Sequence, residues 1–378
     1  MALICLDTRA VLGPSGLHRY CQGLIPELAA QAPQDQFVVI RLTRASREPF
    51  SDAPNVQEVF VDGVTGTLPL LFSRGTLRRV FEEVGTPDVL HAIFHVAPFG
   101  LRAMTPRPRK VVVSLHDLIW VSHPHQVEPT PVHAAWRWLL GSCAIRHTLK
   151  LADHVLCNSA ATRRAAGSWI PDDRATVVHH GVHPRFIAAA AVTEAAAPVI
   201  AAFGVAKRYK NIRAVVEAFG HLAGRYPQLT LVLIGGDGGE PATIRHLGLG
   251  SRVTITGPLP DDDLAALMRR VSVFVVPSII EGFGLPALEV MAAGVPLVVS
   301  DAEALVEVTG DVALRFPATD SAVLAARIGE LLDDPGRAAE CVRRGRARAQ
   351  QFTWQRSAAH TLAVYNALLG RQPVRVTL

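Results

Sequence analysis

The stretch Pro277 to Asp301, PSIIEGFGLPALEVMAAGVPLVVSD, collects residue types that bind anions and polyols. The apolar run VFVV leads into a turn holding Gly282 and Gly284, and a helical pattern follows with Pro286 at its first position. A missing N–H costs nothing there. The amides of Gly282, Phe283, Gly284 and Leu285 can then point outward at an anion. Glu281 precedes the turn. Glu289 falls one turn inside the helix with apolar residues on both sides, where a carboxylate can accept two hydrogen bonds from a diol such as a ribose. The competing reading of Glu289, a solvated charge on a helix surface, fits those apolar flanks less well.

Three other segments carry candidate chemistry. In FGVAKRYKN, Phe203 to Asn211, a strand runs into Gly204, and Lys207, Arg208 and Lys210 cluster before a helix. Cations on a strand-to-helix loop suit a diphosphate, with a solvated basic loop as the alternative. IGGDGGE, Ile234 to Glu240, is a loose match to a dinucleotide fingerprint, and Pro241 makes a plain turn the better reading. TGPLPDDDL, Thr256 to Leu264, has an aspartate run. Asp261 or Asp262 is expected to cap a helix beginning near Leu264, in preference to binding a metal. In the first half, His116-Asp117 resembles a base dyad, but neighbours on an extended strand face opposite ways, so Asp117 is not expected to orient His116.

These residues need strands to carry them. Candidate strands are the N-terminal apolar run in MALICLDTRA, then Phe37–Leu42, Val56–Val61, Val89–Ile93, Val111–Leu115, His154–Asn158 and Thr176–His180. The second half adds Val199–Val205, Thr230–Ile234, Val253–Thr256, Val273–Val276 and Pro296–Ser300. Near-continuous apolar runs suit strands buried on both faces, as in parallel sheets. Their alternation with helical patterns gives a doubly wound α/β fold, twice over. The Ala-rich segment Phe186–Pro198 marks the boundary: one domain over 1–185, a second over 186–355, and an amphipathic terminal helix within 356–378.

With 49% hydrophobic and 19% charged residues the chain has ample core and does not read as disordered. A net charge of +5 favours anionic partners without implying nucleic acid. Five scattered cysteines without C-x-x-C read as buried reduced thiols in a cytosolic protein. The N-terminus lacks a basic n-region, and no apolar run reaches the roughly 20 residues of a spanning helix. Ala134–Lys150, with Trp136 and Trp138, and the cluster Arg102, Arg107, Arg109 and Lys110 can be read two ways. They are either a peripheral contact with an anionic bilayer or an ordinary packed helix beside a solvated loop.

At EGFGLPALE the sequence resembles the E-x7-E pattern of retaining glycosyltransferases of family four, with the GT-B fold. The similarity continues through MAAGVPLVVSD and ALVEVTGDVALRFPATD. GPSGLHRY, VVVSLHDLIWVSHP, ADHVLCNSAATRR and VVHHGVHPRF resemble the family's N-terminal segments in their order. The resemblance implies two Rossmann-like domains facing a central cleft, with acceptor in the first, nucleotide-sugar donor in the second, and the terminal helix packed back on the first. It implies that Lys210 contacts the donor diphosphate, Glu289 the ribose and Glu281 the transferred sugar. Phe283, Gly284 and Leu285 would line sugar and distal phosphate, with Gly204, Gly282, Pro258 and Leu259 also in the donor set. Gly16 would approach the diphosphate and His116 the sugar. Many members carry an arginine where this chain has Val205 or Tyr209, so Arg208 is the expected second phosphate cation, with Lys207 as the alternative.

The implied reaction is transfer of a mannose- or glucose-type hexose to a hydroxyl of a glycan, lipid-linked or small-molecule acceptor. Anomeric configuration is retained by front-face attack, with no metal or other cofactor. A phosphorylase or epimerase of the same fold is a second reading, although nothing suggests a pyridoxal-phosphate lysine. A non-catalytic nucleotide-sugar-binding protein is a third, and intact Lys210, Glu281 and Glu289 argue against it.

Overall fold

A computed structural model describes residues 1–378 except 14, 44, 46–47, 64–65, 128–129, 189–196, 205–206, 236–240 and 373–378. Most of the Ala-rich boundary, most of the Gly235–Glu240 turn, Val205 and the end of the expected 356–378 segment lie outside the described residues. The chain divides into two compact units: Met1–Pro124 with Thr130–Gly181 and Thr353–Leu378, and Val182–Phe352 with His125–Pro129.

The first unit is built on a parallel sheet of β1 (Leu3–Asp7), β2 (Gln36–Leu42), β3 (Val56–Val61), β4 (Val89–Ala92), β5 (Lys110–Leu115), β6 (His154–Cys157) and β7 (Ala175–Val177). Their order is β3-β2-β1-β4-β5-β6-β7. Alternation along each strand feeds two cores. Ile4 and Leu6 of β1 enter one cluster with Leu24 and Leu28 of helix α1 (Gly16–Gln31), while Cys5 enters the other with Phe81 and Ile145. Ile145 belongs to helix α2 (Pro131–Leu151). Both faces are therefore covered, as an all-parallel sheet requires.

The terminal helix, Trp354–Leu368, packs on α1. Thr353 caps it by accepting the N–H of Arg356. Trp354 is the wedge: a Cβ on Gly23 would lie 2.1 Å from its ring, and one on Gly181 would lie 2.2 Å from its backbone nitrogen. Glycine at these two positions lets the indole reach the core.

The second unit repeats the design with β8 (Val199–Phe203), β9 (Thr230–Ile234), β10 (Val253–Ile255), β11 (Val273–Val276), β12 (Leu297–Ser300) and β13 (Leu314–Phe316), in the order β10-β9-β8-β11-β12-β13. Phe274 and Val276 face one core and Val273 and Val275 the other. Helix α3 (Ile212–Leu222) follows β8, α4 (Asp261–Met268) follows β10, and α5 (Leu285–Ala293) follows β11. Strand β13 has no counterpart among the expected strands. It is a three-residue edge strand with exposed Arg315 at its centre, too short and too polar to give a periodic signal.

Three expectations need correction. Helix α4 begins at Asp261 with Pro260 at its cap, so the aspartate run forms its first turn and does not cap a helix starting at Leu264. Helix α5 begins at Leu285, which places Pro286 second. Four cysteines are buried, but Cys143 is exposed on α2. Among the described residues no helix is long and apolar enough to cross a membrane.

Candidate functional site

In an open doubly wound sheet, ligands sit beyond the carboxyl ends of strands where the winding reverses. In the second unit that point lies between β8 and β11. The loop after β8 carries Gly204 and Lys207–Lys210, and the turn after β11 carries Ser278 and Glu281–Leu285. The two loops meet: Lys210 Nζ lies 2.6 Å from Glu281 Oε1, and Ser278 Oγ donates to the same oxygen at 2.7 Å. The side chains of Lys210 and Glu281 are 21% and 10% exposed, so this ion pair is sheltered but reachable.

The residue that shapes this loop is Asn211. It is the only non-glycine residue with positive φ among the described residues, at 54°. Its side-chain amide donates to Pro277 O (3.1 Å) and Ala318 O (2.8 Å), tying the loop to the exits of β11 and β13. The cost of a left-handed asparagine is thus offset by two sheltered hydrogen bonds. Tyr209 adds a second brace. Its carbonyl accepts from Ile279 N, and its ring has Lys210 at 5.3 Å and Lys207 at 5.9 Å. Lys207 and Arg208 are exposed, and the Arg208 side chain has no hydrogen-bond or ion-pair partner among the described residues, its carbonyl accepting from Asn211 N. Counting Lys207, Arg208 and Lys210 against Glu281, the loop pair retains excess positive charge.

At the start of α5, Gly284 has φ 101° and is the helix cap. A Cβ there would lie 2.7 Å from Leu305 Cδ2, so backbone conformation and packing both call for glycine. The N–H groups of Gly284 and Leu285 have no partner among the described residues, as expected at a helix N-terminus. Phe283 is buried in the core against Phe352. Glu289 is 1% exposed, which removes the reading of a solvated surface charge. Pro258 and Leu259 follow β10, two strands from the switch point. Among the described residues, no group of three or more His, Cys, Asp or Glu side chains could hold a metal ion. Asp262 instead pairs with Arg185 at 3.3 Å. An open hollow beside Glu217, His221 and Leu247 lies toward the far end of α3. Arg252 at its edge is occupied in holding the carbonyls of Ala223, Tyr226 and Pro227.

In the first unit the winding reverses between β1 and β4. Gly16 opens α1, with Ser15 capping it by accepting from His18 N at 3.2 Å. A Cβ on Gly16 would meet nothing within 4 Å, so the space beside it is open. His116 follows β5. Its Nε2 lies 2.8 Å from Ile93 O, and a carbonyl only accepts, so Nε2 carries the proton and Nδ1 is left as the acceptor. Burial lowers its pKa to about 4, keeping the ring neutral. Asp117 accepts from Ile119 N at 3.0 Å, within its own turn.

Beneath His116 lies a polar chain that sequence reasoning did not find. His91 joins Tyr365 Oη through Nδ1 (2.6 Å) and Ser114 Oγ through Nε2 (2.8 Å), and Tyr20 and Ser114 share a 3.0 Å hydrogen bond. Desolvation lowers the His91 pKa to about 3. The Tyr20 ring stands edge-on to His116 at 4.9 Å. A second unforeseen feature is the buried bidentate pair at the end of β1, in which Arg9 Nε and Nη2 donate to the two Asp7 oxygens, each at 2.7 Å. The alternation of DTR hid it, since a pair two residues apart gives no motif.

The two parallel, doubly wound units with strand-end loops at their switch points match the GT-B fold. A model of "Glycosyltransferase Family 4" matches residues 14–186, and one of "Glycosyl transferases group 1" matches residues 188–348. A lipopolysaccharide core biosynthesis mannosyltransferase of Rhizobium leguminosarum is 30% identical over 60% of this chain and 74% of its own length. The O-antigen chain mannosyltransferase B of Escherichia coli is 36% identical over 44% of this chain, and the match spans only 45% of that relative. A structure of the Anabaena protein HepE in complex with UDP-glucose superposes with TM-score 0.68 at 20% identity, covering 96% of this chain and all of that one. The chain belongs to the group 1, family 4 glycosyltransferases.

Proposed function

We propose that the chain is a retaining hexosyltransferase that moves a mannose- or glucose-type sugar from a nucleotide diphosphate to a hydroxyl of a glycan, lipid-linked or small-molecule acceptor. The observation that carries this reading is the Lys210–Glu281 pair at the switch point of the second unit, beside buried Glu289. In this reading the Val182–Phe352 unit holds the donor. Lys210, Arg208 and the amides of Gly284 and Leu285 face the diphosphate, Glu289 the ribose, and Glu281 and His116 the sugar. The first unit takes the acceptor, and its Gly16 would let the backbone approach the diphosphate. The mannosyltransferase relatives support a hexose, and the UDP-glucose bound to HepE supports a nucleotide-sugar donor.

Chemically, the bond from sugar C1 to the phosphate oxygen breaks while one from C1 to the acceptor oxygen forms on the same face. The acceptor proton passes to the departing phosphate. Negative charge grows on that phosphate and positive charge on the sugar ring. Fixed cations and helix-terminal amides stabilise the first, and the Glu281 carboxylate lies near the second. Both Lys210 and Ser278 bond to Oε1 of Glu281, which favours a fixed electrostatic contact over a covalent nucleophile. The proposal requires no metal, and the chain would work in the cytoplasm, with peripheral contact to the inner membrane face where the acceptor is lipid-linked.

The test is turnover of nucleotide sugars with an acceptor pool, read by nucleoside diphosphate release and by the anomeric configuration of the product. Activity should persist in EDTA and the product should keep the donor's configuration. Binding of donor without acceptor-dependent turnover would leave a non-catalytic binder. Loss of activity in EDTA, restored by Mg²⁺ or Mn²⁺, would contradict the metal-free mechanism.

A further inference from the structure

Helix α2 is unusual in what it leaves uncovered. Of its first ten residues only Ala134 is buried. Trp136 is 59% exposed, Trp138 45%, Leu139 49% and Val132 68%, an array that would ordinarily be covered. The outward stripe continues through residues 143, 146, 147 and 150, so the face runs from Val132 and Trp136 to Arg146, His147 and Lys150. Two exposed phenylalanines extend it sideways: Phe99 packs on His147 at 4.4 Å and Phe72 on Phe99 at 5.6 Å.

The charge carried by the helix itself has one sign. Helix α2 contains Arg137, Arg146 and Lys150 and no aspartate or glutamate. Arg137 and Arg146 lie over the rings of Trp120 and Trp169, which hold the guanidinium groups at the surface. Arg74, two residues after Phe72, is exposed and has no carboxylate partner among the described residues.

We infer that the α2 face, with Phe72 and Phe99, docks the chain on an anionic lipid bilayer. Tryptophan, leucine and phenylalanine beside arginine and lysine, on a helix without acid, match the boundary between acyl chains and anionic headgroups. A second copy fits less well, because a two-fold contact would set this cationic face against itself. The helix lies along the surface and does not cross it, since no helix among the described residues meets the length and apolarity of a spanning segment. This surface gives the peripheral contact proposed above its residues, and its test needs neither donor nor acceptor, so its failure leaves the transferase reading untouched.

The experiment is flotation of the full chain with vesicles of phosphatidylcholine alone and of phosphatidylcholine mixed with phosphatidylglycerol. The chain should float with the mixed vesicles only, less so at high salt. Trp136→Ser with Leu139→Ser should lower the partition coefficient by about tenfold or more. Arg146→Glu with Lys150→Glu should abolish the preference for anionic lipid. Tryptophan emission of the unaltered chain should shift to the blue on mixed vesicles, a reading that survives even if a variant fails to fold. The inference is overturned if the unaltered chain floats with neither vesicle, or if a folded Trp136→Ser, Leu139→Ser variant floats equally well. It is also overturned if light scattering shows a dimer that those substitutions dissociate.

Discussion

Replacing Lys210 with alanine should lower kcat at saturating donor by on the order of a hundredfold or more, by comparison with loss of one donor to a developing oxyanion. A cation serving the departing phosphate matters more in the transition state, where charge has grown, than in the bound donor. Lys210 is held for this by the Glu281 contact at 2.6 Å and by the Tyr209 ring at 5.3 Å. Arg208→Ala should behave similarly, because Arg208 is exposed and uncommitted among the described residues. Lys207→Ala should be nearly silent, as for a solvated charge. Steady-state kinetics on the three single variants decide the matter. A crippled Lys207→Ala beside a normal Arg208→Ala would exchange those two assignments. Full kcat in all three would remove the diphosphate from this loop.

Truncating Trp354 to alanine should destabilise the first unit by about 3–5 kcal/mol, typical of a large aromatic lost from a core. The indole is 6% exposed and sits between Gly23 and Gly181. Gly23→Ala should cost about 1–3 kcal/mol by the opposite route, since its new Cβ would overlap a ring at 2.1 Å that has no room to retreat. The two are coupled. In the Trp354→Ala background the added methyl no longer meets the ring, so the double variant should be no less stable than Trp354→Ala alone. Thermal melting of the four proteins checks this. A Gly23→Ala protein that melts with the parent, or costs that simply add, would mean that Trp354 is not the wedge holding the terminal helix.

The sequence was most legible where one residue's environment could be read from its immediate neighbours. VFVV and TLVLI are short, β-branched apolar runs that suit strands covered on both faces, and both lie where the apolar pattern put them. Gly284 was marked by its place between a strand and a helix with proline in its first turn, and its φ of 101° is one that favours glycine. Legibility failed where a role depends on partners far along the chain. Asn211 looked like the end of a basic loop, but its work is done at Pro277 and Ala318. His91 and Tyr365 are 274 residues apart, and nothing local in either predicts their 2.6 Å contact. The helix after TGPLP starts earlier than the aspartate run suggested, because Pro260 can serve as its cap and leave the aspartates for the first turn.

The most direct test of the donor-site account is calorimetric titration of free UDP, GDP and ADP into the parent chain and into Glu289→Ala. Glu289 is buried on α5 beside the switch-point turn, and the account gives it the ribose hydroxyls. One of the three nucleotides should bind the parent, and Glu289→Ala should weaken that binding by roughly 1.5–3 kcal/mol, the range for a hydrogen bond to a charged group. Unchanged affinity in a folded Glu289→Ala protein, or no binding of any nucleotide to the parent, would contradict it.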